Sequence, residues 1–319
     1  MKINAKRLFS PLILLLAAMI WGFAFAAQDA ASEVPAFTLG FGRSLLATAF
    51  LFILIPIIDR LSHSERRLIS SHGVGLNRPE LIGGAISGVA LTVASAFQQI
   101  GINAGTDGGK AAFITALYVV IVPIYALALK KRARINVWVG VCLAAVGFYL
   151  LCIKSDFTVA PSDLLVGCCA LIFPIQILAI DHYSPKCDGV RMSLVQFATA
   201  TLLNAILALI FEGGIDFTAT FTNILPVVYL GIGSSGVAYT LQIIGQRGID
   251  PSAATIILSL ESVFGVIGTA IFLSQALTER EYIGCAILLV ATVIAQLDLK
   301  IRRKKCDTPP PEDGKTDVA

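Results

Sequence analysis

Glu261 is the only carboxylate deep inside a long apolar run, 253–273, and Arg43 is the only cation inside another, 37–58. An ionised side chain in hydrocarbon is costly, so each must face protein or water, and Glu261 must be protonated or paired. Glu261 is therefore either a neutral or hydrogen-bonded structural acid, or a proton carrier that couples a gradient to transport. Arg43 either reaches headgroups or the backbone carbonyls of a neighbouring helix, or binds the anionic group of a solute. Two polar stripes accompany them. Thr92, Gln99 and Asn103, with Ser95 adjacent, share one run; Ser235, Tyr239, Gln242 and Gln246, at spacings of 4, 3 and 4, share one helical face. Stripes of this kind either knit helices together by hydrogen bonds or line a wet cavity. Trp21, Phe25 and Gln28 fall on one face of the first run and pose the same choice.

Catalytic chemistry fits these residues poorly. Gly233-Ser-Ser-Gly236 matches a pattern of serine intramembrane proteases, but a serine nucleophile needs a base within hydrogen-bond reach. The three histidines, His63, His72 and His182, lie in connections between the apolar runs. Gly231 to Gly236 also fits GxGxxG, yet no strand in a soluble βαβ unit precedes it. GxxxxGK[ST] is absent, so no nucleotide cradle is expected. The seven cysteines show no CxxC pairing and His63 and His72 have no Cys or Asp at ligand spacing, so neither a metal site nor a cofactor is expected.

The elements that must position these groups are membrane helices. The chain has 319 residues, of which 56% are hydrophobic and only 14% charged, against about a quarter charged in soluble domains. Runs of roughly 20 apolar residues, enough to span a hydrocarbon core of about 30 Å, alternate with short charged connections. Ten helices are predicted, near 8–27, 37–58, 81–102, 110–129, 135–152, 162–180, 190–211, 223–244, 253–273 and 281–299. A signal peptide ending at Ala24-Phe25-Ala26 is the weaker reading of the first run, because its removal would leave the first half incomplete.

The halves are related. Shifting 99–124 by 143 positions onto 242–267 gives nine identities in 26 positions, among them Gln99/Gln242, Gly105/Gly248 and Asp107/Asp250. Thr92 answers Ser235, Asn103 answers Gln246 and Tyr118 answers Glu261 at the same shift; Arg43 answers Gln196 at a shift of about 153. With the N-terminus inside, twenty Lys and Arg fall on the cytoplasmic side, from Lys2 to Lys315; Lys154 and Arg280 fall outside, with Lys110 at a helix mouth. That asymmetry puts both termini in the cytoplasm. Five helices per half then make the repeats inverted. The expected organisation is a first five-helix repeat over 1–153, a second, inverted one over 154–300, and a disordered cytoplasmic tail over 301–319. The fold class is all-α, integral to the membrane, with ten transmembrane helices.

Local signals refine this picture. Gly84-x-x-x-Gly88 suits close helix packing. Asp107 and Asp250-Pro251 read as N-caps of the fourth and ninth helices. Pro123 in the fourth helix is a candidate hinge, since a mid-helix proline loses one ladder bond. Pro174 and Gln176 add a kink signal and a polar group to the sixth.

Trp21-Gly22, Arg43, Phe97-Gln-Gln-Ile-Gly101, the run Ala112 to Pro123 and Leu258-Ser-Leu-Glu261 resemble the drug/metabolite transporter superfamily, EamA type, over all ten helices. The family's common Glu-Pro reads Glu261-Ser262 here, so no proline kinks that helix. The resemblance implies a bacterial inner-membrane permease that moves amino acids or other metabolites, usually outward, through a central cavity. With the stripes it nominates Trp21, Arg43, Thr92, Gln99, Asn103, Thr115, Tyr118, Gln176, Ser235, Tyr239, Gln242, Gln246 and Glu261 as cavity residues. The expected partners are a small-molecule solute, a coupled proton if Glu261 carries one, and the lipid bilayer; nucleic acid is not among them, and oligomeric state is not legible. The competing classes are a membrane scaffold or channel and an intramembrane hydrolase.

Overall fold

The computed structural model describes residues 5–60, 76–130, 135–152, 160–273 and 279–296. Among these every regular element is helical. The predicted tail over 301–319, Lys154, His63 and His72 lie outside the described residues. Seven described helices are long and apolar enough to cross a membrane: Phe9–Ala30, Ala36–Arg60, Arg78–Asn103, Gly108–Ala128, Pro161–Lys186, Gly189–Phe211 and Ile224–Gly245. Three shorter apolar helices cover Ile135–Gly147, Pro251–Gly265 and Tyr282–Ala291. The surface is apolar, with Phe52, Ile53, Leu209 and Leu225 largely exposed, while Gln99, Gln176, Gln196 and Gln242 are buried. That inversion is what a lipid solvent selects.

We number the helices α1 Ala5–Ala30, α2 Ala36–Arg60, α3 Arg78–Asn103, α4 Gly108–Ala116, α5 Tyr118–Ala128, α6 Ile135–Cys152 and α7 Pro161–Tyr183. Then follow α8 Gly189–Phe211, α9 Phe217–Thr222, α10 Ile224–Val228, a π-helical stretch Tyr229–Ala238, α11 Tyr239–Gly245, α12 Pro251–Leu258, α13 Glu261–Leu273 and α14 Glu279–Gln296. α3 packs on α7 and α8, α2 on α8, α1 on α13, and α6 on α14. Gly84 and Gly88 permit the α3–α8 contact. A Cβ on Gly84 would stand 2.6 Å from Val195 Cβ, and one on Gly88 2.6 Å from the Gln196 carbonyl oxygen.

The turn before α4 and the turn before α12 are built alike. Gly105 and Gly248 both take positive φ, 103° and 76°, a conformation that suits glycine. Two residues on, Asp107 accepts hydrogen bonds from Gly109 N and Lys110 N, and Asp250 from Ser252 N and Ala253 N. Such caps supply partners for first-turn amides that have none within the helix.

The sequence expectation of unbroken fourth, eighth and ninth helices needs correction. The fourth is interrupted at Leu117 rather than hinged at Pro123, and the ninth is interrupted at Ser259–Leu260 without any proline. Leu117 and Leu260 stand 143 positions apart, at the shift found in the sequence. The cause is local tightening to i→i−3 bonds: Leu117 N to Ile114 O, Val120 N to Leu117 O, Leu260 N to Ile257 O and Ser262 N to Ser259 O. In the ninth, Thr255, Ser259 and Ser262 hydroxyls also donate to carbonyls three residues back. Hydroxyls that bond the preceding turn bend helices. The eighth helix is wound as a π-helix through its Gly- and Ser-rich middle.

α2 and α8 meet around a local two-fold. Thr48 and Thr201, 153 positions apart, share a hydrogen bond of 3.3 Å between their hydroxyls. At one end of the pair Asp59 accepts from Arg191 at 2.7 and 3.0 Å. At the other, Glu212 accepts from Phe37 N, Thr38 N and the Thr38 hydroxyl at 2.7 to 2.9 Å. Asp59 and Glu212, like Thr38 and Arg191, are also 153 positions apart. Each carboxylate at one helix's end thus holds the first turn of the other helix.

Candidate functional site

Between α1, α2, α3, α4, α5, α7, the π stretch and α11–α13 lies a cavity, with about 470 Å³ of space between atoms when its opening to solvent is included. Arg43 enters from α2 and Glu261 from the first residue of α13. The walls carry Trp21, Gln28, Gln98, Thr115, Tyr118, Gln176, Ser234, Tyr239 and Gln242, with Phe25 and Phe173 among the apolar residues.

Arg43 neither snorkels nor caps backbone carbonyls. Its Nε donates to Ser235 Oγ at 3.0 Å, and its Nη groups donate to Gln28 Oε1 and Ser234 Oγ, both at 3.3 Å. All three acceptors are neutral, and two of the five guanidinium N–H groups are left over. Trp21 supports the same wall: its Nε1 donates to Ser234 O at 3.3 Å and its ring lies 4.5 Å from that of Tyr239. Phe197 in turn holds Tyr239 edge-on at 5.6 Å.

Glu261 is almost fully buried, and its Oε1 has no hydrogen-bond partner. Tyr118 faces it closely enough to interact electrostatically, without a hydrogen bond of good geometry. Tyr118 and Glu261 open α5 and α13, the second pieces of the two interrupted helices. The interruptions therefore put these two residues on the same cavity. Gly22 lets α1 approach this turn, since a Cβ there would stand 2.7 Å from Glu261 O. Arg43 and Glu261 form no ion pair; Tyr239 lies within electrostatic range of both.

Two amide clusters complete the lining. Gln176 and Gln242 exchange hydrogen bonds at 3.1 and 3.3 Å. Gln98 donates to Thr115 Oγ1 at 2.9 Å, and Thr115 pairs with Cys169 Sγ at 3.4 Å.

The structure thus brings together Trp21, Arg43, Thr115, Tyr118, Gln176, Tyr239, Gln242 and Glu261. It does not bring Thr92, Asn103, Ser235 or Gln246 to the cavity wall. Thr92 bonds the Gly88 carbonyl of its own helix. Asn103 is held by Gln99 and by Val34 O. Ser235 sits behind the Arg43 guanidinium, and Gln246 is buried beyond Gln242. Gln99 lines a smaller adjoining space of about 230 Å³, which it shares with Arg43, Ser95 and Asn204. The expectation that the two stripes face each other across one cavity is therefore corrected. Gln98, a residue away and about 100° around the helix, turns to the cavity instead. Ser234, five before Tyr239, also reaches the wall: an α-helical period puts it on another face, and the wider π winding brings it closer to the Tyr239 face.

The EamA-like transporter family matches residues 8–153 and again 160–296. A protein of Archaeoglobus fulgidus named "Uncharacterized transporter" is 30% identical over 296 residues, covering 92% of this chain and 88% of the relative. A crystal structure superposes with a TM-score of 0.70 at 19% identity, covering 90% of this chain and 96% of that one. At that identity the likeness concerns the fold alone.

Proposed function

The chain belongs to the EamA-like transporter family and is a multi-pass membrane transporter, and from that premise we propose that it moves a small organic solute by alternating access to the cavity between two inverted halves. The chain crosses the bilayer ten times, with both termini in the cytoplasm and the cytoplasmic membrane as its location. Two family matches in one chain, the paired interruptions at Leu117 and Leu260, and the local two-fold between α2 and α8 support the inverted repeat. An odd number of spans per half turns the second half over. Transport runs outward, as the family resemblance implies.

The observation that carries the reading of the solute is the partner set of Arg43. A guanidinium in a membrane interior, held only by neutral oxygens and with two N–H groups free, is completed by an anion. The solute therefore carries an anionic group for Arg43, an apolar or ring portion beside Trp21 and Tyr239, and hydrogen-bonding groups for Gln176 and Gln242. Glu261, beside Tyr118 on the cavity wall, carries the coupled proton.

Thermal stabilisation of the purified protein across a panel of metabolites tests this, because a ligand of the folded state raises Tm by mass action. Stabilising compounds should share an anionic group and should lose their effect on Arg43→Met. Equal stabilisation of the variant, or hits confined to compounds without an anion, would overturn the assignment.

A further inference from the structure

Arg43 and Gln196 stand 153 positions apart, and Asn103 and Gln246 stand 143 apart, the two spacings at which the half-chains correspond. The members of each pair are treated differently. Arg43 donates to three oxygens, and Asn103 donates to Val34 O while accepting from Gln99. Gln196 and Gln246 are 0% and 1% exposed, yet neither the amide nitrogen nor the amide oxygen of either has a hydrogen-bond partner. A buried amide without partners carries its whole desolvation penalty, and protein interiors keep few such groups.

Their positions are telling. On α8, Gln196 lies between the face that meets α11 and the face that meets α3. Ser193 and Phe197 make the first contact, with Thr240 and Tyr239; Val195 and Thr199 make the second, against Gly84 and Gly88. Gln246 continues the line Tyr239–Gln242 away from the cavity, towards the end where Asp188 and Arg191 begin α8. With the N-terminus inside, that is the cytoplasmic end. The outer members of the two pairs, Arg43 and Asn103, thus have side-chain partners, and a small space adjoins Arg43. The cytoplasmic half has the corresponding amides packed shut.

We infer that Gln196, level with Thr240, and Gln246, further towards the cytoplasmic end, are two successive contacts of a second, cytoplasmic station for the solute, closed in this conformation and opened when the cavity turns to that side. This rests on the inverted-repeat transporter reading above. The penalty held by the two amides in the closed form is released when that side is hydrated or occupied, which favours opening. The station offers neutral donors and acceptors, so it takes the solute's hydrogen-bonding groups, and its anionic group is held only at Arg43.

Two measurements test the inference without knowledge of the solute. Gln196→Leu and Gln246→Leu remove partnerless amides from the closed form, so each should raise Tm in detergent by about 2 °C or more. A fall in Tm for both would mean that the amides are structural, and would overturn the inference. In a background with the seven native cysteines replaced, Gln196→Cys should react with membrane-impermeant trimethylammonioethyl methanethiosulfonate in inside-out vesicles and not in right-side-out ones. Reaction from the outer face, or from neither, would also overturn it. Arg43→Cys in the same background separates the two levels of argument. If it reacts from the outer face while Gln196→Cys never reacts, only the cytoplasmic station fails. If neither reacts from either face, the alternating cavity itself fails.

Discussion

Arg191→Met tests the clamp between α2 and α8 most sharply. Arg191 is 4% exposed and joins two carboxylates, Asp59 at 2.7 Å and Asp188 at 3.1 Å. Removing one partner of a buried pair costs roughly 3–5 kcal/mol, because the remaining charge stays buried without its complement. The Asp188 side chain is 3% exposed but keeps the donors Val190 N and Arg191 N, and Asp59 is 20% exposed and is partly relieved by water, so the loss falls at the lower end of that range. A loss of about 3 kcal/mol is therefore expected. At the opposite end of the local two-fold, Glu212→Gln keeps an oxygen for Phe37 N or Thr38 N but turns its NH2 to the other, so it loses the charge assistance and one hydrogen bond, together about 2 kcal/mol. Reversible unfolding in mixed micelles of dodecyl maltoside and dodecyl sulfate gives the two values. The reasoning is refuted if Arg191→Met lies within about 0.5 kcal/mol of the parent, the range of neutral surface changes, or if Glu212→Gln is the more damaging.

Other expectations follow from the same geometry. Gln242→Leu removes a cavity amide and leaves Gln176 without its reciprocal partner, so it should weaken solute binding about tenfold or more; Gln99→Leu, on the adjoining space, should weaken it less, and equal effects in the stabilisation assay would contradict the assigned positions. Glu261→Gln should abolish transport driven by a pH gradient in vesicles while leaving solute exchange measurable, and an unchanged dependence on the gradient would remove the coupling role. Cys187 lies outside the membrane-spanning segments, is completely buried, and burial pushes its thiol up to about 11. It should therefore stay unmodified by N-ethylmaleimide at pH 7.5 in the folded protein and react once dodecyl sulfate unfolds it; mass spectrometry of the Cys187 peptide reads both states.

Much of the architecture is legible in the sequence because its causes are local. Gly105 and Gly248 announce turns that need positive φ, Asp107 and Asp250 announce caps, and Gly84-x-x-x-Gly88 announces a close helix contact. Arg43, Tyr118 and Glu261 are equally visible, since charge and phenol are rare in apolar runs. Other features depend on packing between distant helices. Nothing near Gln98 and Gln99 says which of them faces the cavity; that is fixed by where α4 and α7 lie. Ser234 is hidden by the π winding of Tyr229–Ala238, because a 3.6-residue period puts it on another face. The interruption at Leu117 is masked by Pro123, the stronger local signal for a bend, and the one at Ser259–Leu260 arises from hydroxyls of Thr255, Ser259 and Ser262 rather than from proline. The clamp between Asp59 and Arg191 links residues 132 positions apart, and only the three-dimensional contact reveals that its mate is Glu212 with Thr38.

Short epitope tags inserted singly into 153–160 and into 184–188, probed in intact and permeabilised cells, bear most directly on the two-fold arrangement. If the second half is the first turned over, the tag in 153–160 is reached from outside without permeabilisation and the tag in 184–188 only after it. Both tags on one face of the bilayer would contradict the inverted repeat, and with it the shared cavity.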